Sequence, residues 1–175
     1  MYIVNLFGAP GAGKSTGAAY IFSQLKMKGI NAEYVSEFAK EKVWEESKEA
    51  FKNQAYLFGK QYFRISRCKD KVDIIVTDSP LPLSILYNQD GNLGEDFNTV
   101  VMNVFNSFKN FNYYINRTKP YNPKGRLQTE KESDELVNPL KNLLNIYKID
   151  FEEFNGEATD YDKIVEDIIS KINEE

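Results

Sequence analysis

The chain has 175 residues, 42% of them hydrophobic and 14% aromatic, with a formal net charge of −4 at pH 7. This size and composition suit one globular domain with a full core and exclude a disordered or low-complexity chain. There is no histidine and one cysteine, Cys68, which excludes His-based triads, His metal ligands and an internal disulfide.

Cys68 falls in a polar helical stretch and reads as a surface or packing residue, and a lone thiol suits a reducing cytosol. No apolar run approaches the ~20 residues of a membrane helix. Met1 leads straight into an apolar strand instead of a secretory leader. A cytoplasmic protein without membrane contact is expected.

The first predicted strand, 2–7, runs directly into Gly8-Ala9-Pro10-Gly11-Ala12-Gly13-Lys14-Ser15. Every fixed position of the phosphate-loop pattern G-x-x-x-x-G-K-[ST] is matched. Glycines let successive backbone N–H groups turn inward around an anion, and the helix that follows adds the partial positive charge of its N-terminus. Lys14 is placed to reach the β- and γ-phosphates and the Ser15 hydroxyl to ligate Mg²⁺, so residues 8–16, Thr16 included, are expected to bind a nucleoside triphosphate.

A helix over 14–28 is closed by Gly29, and a second strand, 32–36, ends just before Glu37. At the carboxyl end of a parallel strand Glu37 faces the crevice, where a carboxylate can take the proton of an attacking hydroxyl. A first-turn residue interacting with the dipole of the next helix is the alternative. Helices follow over 38–48 and 50–69, then a strand over 72–77 whose Ile74-Ile75-Val76 suits burial on both faces. Asp78 after that strand gives the form of a Walker B carboxylate facing Ser15 across a metal; capping the Ser79-Pro80 turn is its alternative role.

An irregular stretch, 78–95, leads to a helix over 95–109 and a strand over 111–116. The next segment, Arg117-Thr-Lys-Pro-Tyr-Asn-Pro-Lys-Gly-Arg126, is basic, free of acids and broken by Pro120, Pro123 and Gly125. Such a loop at a strand's carboxyl end reads as a closing lid over 117–129, with Arg117 and Arg126 clamping the transferring group. Tyr121 within it reads equally as a base-stacking ring or a packing aromatic. A helix over 130–146, a strand over 148–153 and a helix over 158–173 complete an alternation that predicts a parallel α/β sheet in one domain.

Charge is unevenly distributed. Residues 150–175 hold ten acidic and two basic side chains, leaving a basic excess of four on residues 1–149. The excess clusters in 109–126 and 60–71, which favours a phosphate-bearing partner, although the second cluster also reads as a solvated helix face.

Together, Gly8–Ser15, Ser36-Glu37-Phe38, Thr77-Asp78-Ser79-Pro80 and Arg117–Arg126 resemble the small P-loop kinases of the nucleoside and nucleotide kinase group. The likeness extends to NadR-like ribosylnicotinamide kinases and to phage P-loop kinases, some similar to enzymes acting on 5-hydroxymethyl pyrimidines in DNA. The resemblance implies a three-layer P-loop sandwich with a five-stranded parallel sheet in 2-3-1-4-5 order. It also implies transfer of the γ-phosphate of ATP, with Mg²⁺, to a hydroxyl of a nucleoside, nucleotide or modified pyrimidine, with DNA as one form of the acceptor. It assigns catalysis to Lys14, Glu37, Asp78, Arg117 and Arg126, nucleotide contact to residues 8–16 and Arg117, and metal binding to Ser15 and Asp78. The acceptor site falls between residues 38 and 70, where Gln54, Tyr56, Gln61, Tyr62, Arg64 and Arg67 offer groups that read or stack on a base. No motif there names the acceptor.

Two other classes are weighed against this. A GTPase needs Asn-Lys-x-Asp after a late strand, and Asn116-Arg117-Thr118-Lys119 lacks both the Lys and the Asp. A motor-type or AAA+ ATPase needs a longer chain with a separate lid domain, which leaves a regulatory ATP-binding or ATPase module without an acceptor as the alternative to a kinase.

Overall fold

The computed structural model describes residues 1–88 and 93–174. Its strands are β1 (Tyr2–Phe7), β2 (Ala32–Val35), β3 (Ile74–Thr77), β4 (Lys109–Asn116) and β5 (Glu152–Asn155). They form one sheet in the order β2-β3-β1-β4-β5, with every pairing parallel. The helices among the described residues are α1 (Lys14–Met27), α2 (Phe38–Trp44), α3 (Lys48–Phe51), α4 (Gln54–Ser66), α5 (Leu83–Leu86), α6 (Gly94–Asn106), α7 (Glu130–Glu135), α8 (Val137–Ile146) and α9 (Ala158–Asn173).

Strand residues alternate between two covered faces, as a sheet buried on both sides requires. Val4, Leu6, Ile74, Val76, Tyr113 and Ile115 pack against α1 and α9. Ile3, Phe7, Val35, Ile75 and Tyr114 pack against α4, α5, α6 and α8. Asn5 is a polar residue buried within the sheet, and its amide donates to the Oδ1 atoms of Asn110 (2.9 Å) and Asn112 (3.0 Å) on β4. That satisfied bridge opposes slippage of β1 along β4, because a shifted register would strand the amide without partners.

The sheet order is the predicted one, and several element bounds differ for local reasons. The strand expected over 148–153 lies at 152–155. Lys148 adopts a left-handed φ of 52° and Ile149 N–H returns to Leu144 O, so this stretch terminates α8 and Ile149 joins the core. β5 itself carries Glu152 and Glu153, exposed as suits an edge strand. The helix expected over 130–146 breaks after Glu135, because the Pro139 ring cannot follow the carbonyl four residues earlier. Glu46, at φ 53°, and the Asn53 cap divide the expected helices of 38–69 into α2, α3 and α4. The irregular 78–95 stretch contains α5 and the first residues of α6, and its residues 89–92 lie outside the described residues.

Candidate functional site

All five parallel strands end on one edge of the sheet, and the segments leaving β1, β2, β3 and β4 line a cleft of about 380 Å³. The loop after β1 forms its floor. Gly8, Gly11 and Gly13 all have positive φ, and a Cβ on Gly13 would stand 2.6 Å from the Tyr161 hydroxyl oxygen. Ala9 and Ala12 are buried beneath the loop, while Gly8, Pro10, Gly11, Gly13, Lys14, Ser15 and Thr16 face the cleft. The Lys14 ammonium donates to the Gly8 (2.7 Å) and Ala9 (3.1 Å) carbonyls. Burial holds its pKa below the ordinary lysine range, against the pull of Glu37 and Asp78. A desolvated cation curled over inward-facing backbone is a site suited to an anion.

Glu37 and Asp78 reach the same place from neighbouring strands. Glu37 is the N-cap residue of α2, but its side chain makes no capping bond and lines the cleft instead. Its backbone N–H donates to Asp78 Oδ1 at 3.0 Å, which fixes one carboxylate against the backbone of the other. Burial raises the Glu37 pKa, with Asp78 adding to the rise and Lys14, Lys40 and Arg126 opposing it. Asp78 is buried, and its charge adds to burial in driving the pKa of the Tyr34 hydroxyl far up. Tyr87 also lines the cleft, and burial and the Glu37 charge push its hydroxyl pKa up to about 12.

The two arginines of the 117–129 segment are placed differently. Arg126 lines the cleft close enough to Lys14 and Glu37 to bear on the titration of both. Arg117 stands behind it, outside the cleft lining, paired with Asp134 and, at 3.6 Å, Glu130 of α7. Among the residues expected at an acceptor site, Gln54 and Gln61 line the cleft. The Gln61 carbonyl accepts the Phe38 N–H at 2.9 Å and so anchors the start of α2. Arg64 is committed to Glu41 and the Phe38 ring, and Tyr56, Tyr62 and Arg67 lie on the exposed side of α4.

No family model and no curated protein matches the sequence. Solved structures do match. One is a deoxyadenosine kinase from M. mycoides, solved with products dCMP and a flexible dCDP bound, at a TM-score of 0.54 and 22% identity over 100% of both chains. The chain shares the fold of that structure. The five parallel strands in the order β2-β3-β1-β4-β5, with helices on both faces, carry that likeness.

Parts of the P-loop's surroundings were not legible in the sequence. The Tyr161 hydroxyl of α9 donates to Gly13 O at 3.0 Å, and the buried Ser133 hydroxyl of α7 donates to Pro10 O at 2.6 Å. Both partners lie more than a hundred residues from the loop, and neither Ser nor Tyr marks itself by type. Leu83, Ser84 and Tyr87 enter the cleft through α5, inside a stretch expected to be irregular.

Proposed function

We propose that the chain is an ATP-dependent kinase that transfers the γ-phosphoryl group to a hydroxyl of a nucleoside- or nucleotide-type acceptor. One observation carries this reading. One cleft is lined by the P-loop at residues 8–16 and also by residues of α2, α3, α4 and α5, and Glu37, Asp78 and Arg126 belong to the same lining; we read the part away from the P-loop as a second compartment. The second compartment is walled by Ala39, Val43, Phe51 and Leu57, with Gln54, Ser84 and Tyr87 supplying polar groups. Apolar walls with a few placed polar groups are what a base-and-sugar ligand asks for. An ATPase module needs space for one nucleotide and a water and has no use for that compartment.

In the proposed reaction the P-loop backbone and the α1 N-terminus hold the phosphates, and Lys14 exchanges the Gly8 carbonyl for a phosphate oxygen. Ser15 and Asp78 present hard oxygen ligands suited to Mg²⁺, which when bound neutralises charge on the phosphates. No three acidic, Cys or His side chains converge among the described residues. An ion held by Ser15 and Asp78 would take its remaining ligands from phosphate and water. Glu37 takes the acceptor hydroxyl proton as the new oxygen–phosphorus bond forms and the bond to the β-phosphate oxygen breaks. Its raised pKa brings it nearer the working pH of a general base. Arg126 meets the charge spread over the transferring group.

Gly125, which lines the cleft, lies against the Trp44 ring, where a Cβ on it would come within 2.7 Å. This contact of the 117–129 segment with the end of α2 favours a free small-molecule acceptor over a base carried in DNA. The test is transfer of label from ATP to free nucleosides, free nucleotides and oligonucleotides containing 5-hydroxymethyl pyrimidines. Labelled nucleoside or nucleotide product, abolished in Lys14→Ala, is the expected result. Transfer confined to oligonucleotides and weakening steeply with salt would move the acceptor to DNA. Hydrolysis without any labelled product would leave an ATPase module.

A further inference from the structure

Tyr121 is held on three sides. The Arg117 guanidinium lies 5.3 Å from its ring centroid and the Arg126 guanidinium 5.4 Å, so the ring touches both cations of the segment. Its edge rests on the P-loop: a Cβ on Gly11 would stand 2.8 Å from the ring, so only glycine leaves room for it there. Its hydroxyl donates to the Gln128 carbonyl, closing the segment into a ring-shaped turn around the side chain. Behind it, α7 fixes the assembly twice. Asp134 and Glu130 hold Arg117, and the adjacent Ser133 hydroxyl holds Pro10 O, one residue from Gly11. A continuous chain of contacts therefore runs from α7 through Arg117 and Tyr121 to Arg126, which alone of these groups faces Lys14 and Glu37.

We propose that Tyr121 is the positioning residue of this site, a spacer seated on Gly11 that sets how far Arg126 reaches over the P-loop. An arginine on a Pro/Gly-rich segment has many rotamers, and a stacked ring removes most of them at the cost of one side chain already ordered. Because a flat aromatic face does this work, the ring is required and the hydroxyl contributes only the tie to Gln128. The inference rests on the kinase reading for its effect on turnover and on geometry alone for its effect on the segment.

Two measurements separate these. In steady-state transfer assays, Tyr121→Leu lowers kcat about 10–100-fold with the acceptor KM within threefold, as expected when an electrostatic donor is misplaced but the acceptor compartment is intact. Tyr121→Phe recovers most of the turnover. Arg126→Met lowers kcat at least as far as Tyr121→Leu, and the double variant is no slower than Arg126→Met alone, because Tyr121 acts through Arg126. In the absence of substrates, amide exchange across 117–129 quickens in Tyr121→Leu and not in Tyr121→Phe. Additive losses in the double variant, a Phe variant as slow as Leu, or unchanged exchange in Tyr121→Leu would each overturn the proposal. If the wild-type protein transfers phosphate to no acceptor, the kinase reading fails, and the exchange comparison still decides whether Tyr121 holds the segment.

Discussion

Glu37 is a carboxylate held in the cleft at a cost in stability. A carboxylate in this cleft pays for desolvation, and its raised pKa states that the neighbouring cations do not fully compensate. The sign follows from linkage. The folded state binds the Glu37 proton more tightly than the unfolded chain, whose carboxyl titrates near 4.5. Stability is therefore fully retained below that value and declines as pH rises through the raised folded-state pKa. Glu37→Gln removes the ionisation. Its melting temperature is expected to exceed the wild type's at pH 7 and to match it more closely near pH 4, while turnover falls about 10²–10⁴-fold if Glu37 is the base. A Gln variant melting below the wild type at pH 7 would show that the carboxylate is structural. Asp78 is the neighbouring alternative: if Asp78→Asn is the more damaging change to turnover, the two carboxylates exchange roles.

At the scale of elements, the interface of α1 with α9 is set by a glycine that local propensity disfavours. Gly17 sits in the first turns of α1, where alanine is ordinarily worth about 1 kcal/mol more. Here a Cβ would stand 2.4 Å from the Tyr161 ring, which is buried and tied through its hydroxyl to Gly13. Overpacking of a fixed ring costs about 1–3 kcal/mol and outweighs the propensity gain. Gly17→Ala is therefore expected to lower the denaturation midpoint, and Gly17→Ala with Tyr161→Leu to recover part of the loss. A stabilised single variant would show that the ring moves aside freely. This pair also marks what the sequence could and could not convey. The order of strands and helices followed from hydrophobic period, and Pro139 explains the α7/α8 break by local chemistry alone. A glycine inside a helix signals close approach to something, but the approaching group lies far along the chain and carries no sequence mark. β5 was expected too early in the chain because an edge strand rich in glutamate lacks the apolar run that announced Ile74–Val76. The same contrast holds at the site: Lys14, Glu37 and Asp78 follow strand ends and were legible from topology, whereas Tyr87, Tyr161 and Ser133 arrive from elsewhere.

Across the whole molecule, the two compartments of the cleft draw on separated stretches of chain. The P-loop side is built from residues 8–16 and braced by Ser133 and Tyr161, and the other side from α2, α3, α4 and α5. A bound ligand therefore bridges parts of the fold that separate on unfolding, so binding should raise the stability of the whole chain and not only of a loop. By mass action, a donor at a hundred times its Kd adds about 2.7 kcal/mol. For a chain of this size that corresponds to a melting-temperature rise of roughly 5–10 °C. ATP with Mg²⁺ is expected to give such a shift in the wild-type protein and none in Lys14→Ala, whose cradle lacks the cation that meets the phosphates. Mg²⁺ without nucleotide should give almost none, because an ion held by Ser15 and Asp78 would need phosphate oxygens to complete its shell. A large shift from Mg²⁺ alone would instead reveal a protein-only metal site. Adding an acceptor that raises the melting temperature further, in a protein unable to turn over because Glu37 is Gln, would place both substrates in the cleft at once. That result separates a two-substrate enzyme from a nucleotide-binding module more directly than any rate, since it reads occupancy of the second compartment without requiring the chemistry to proceed.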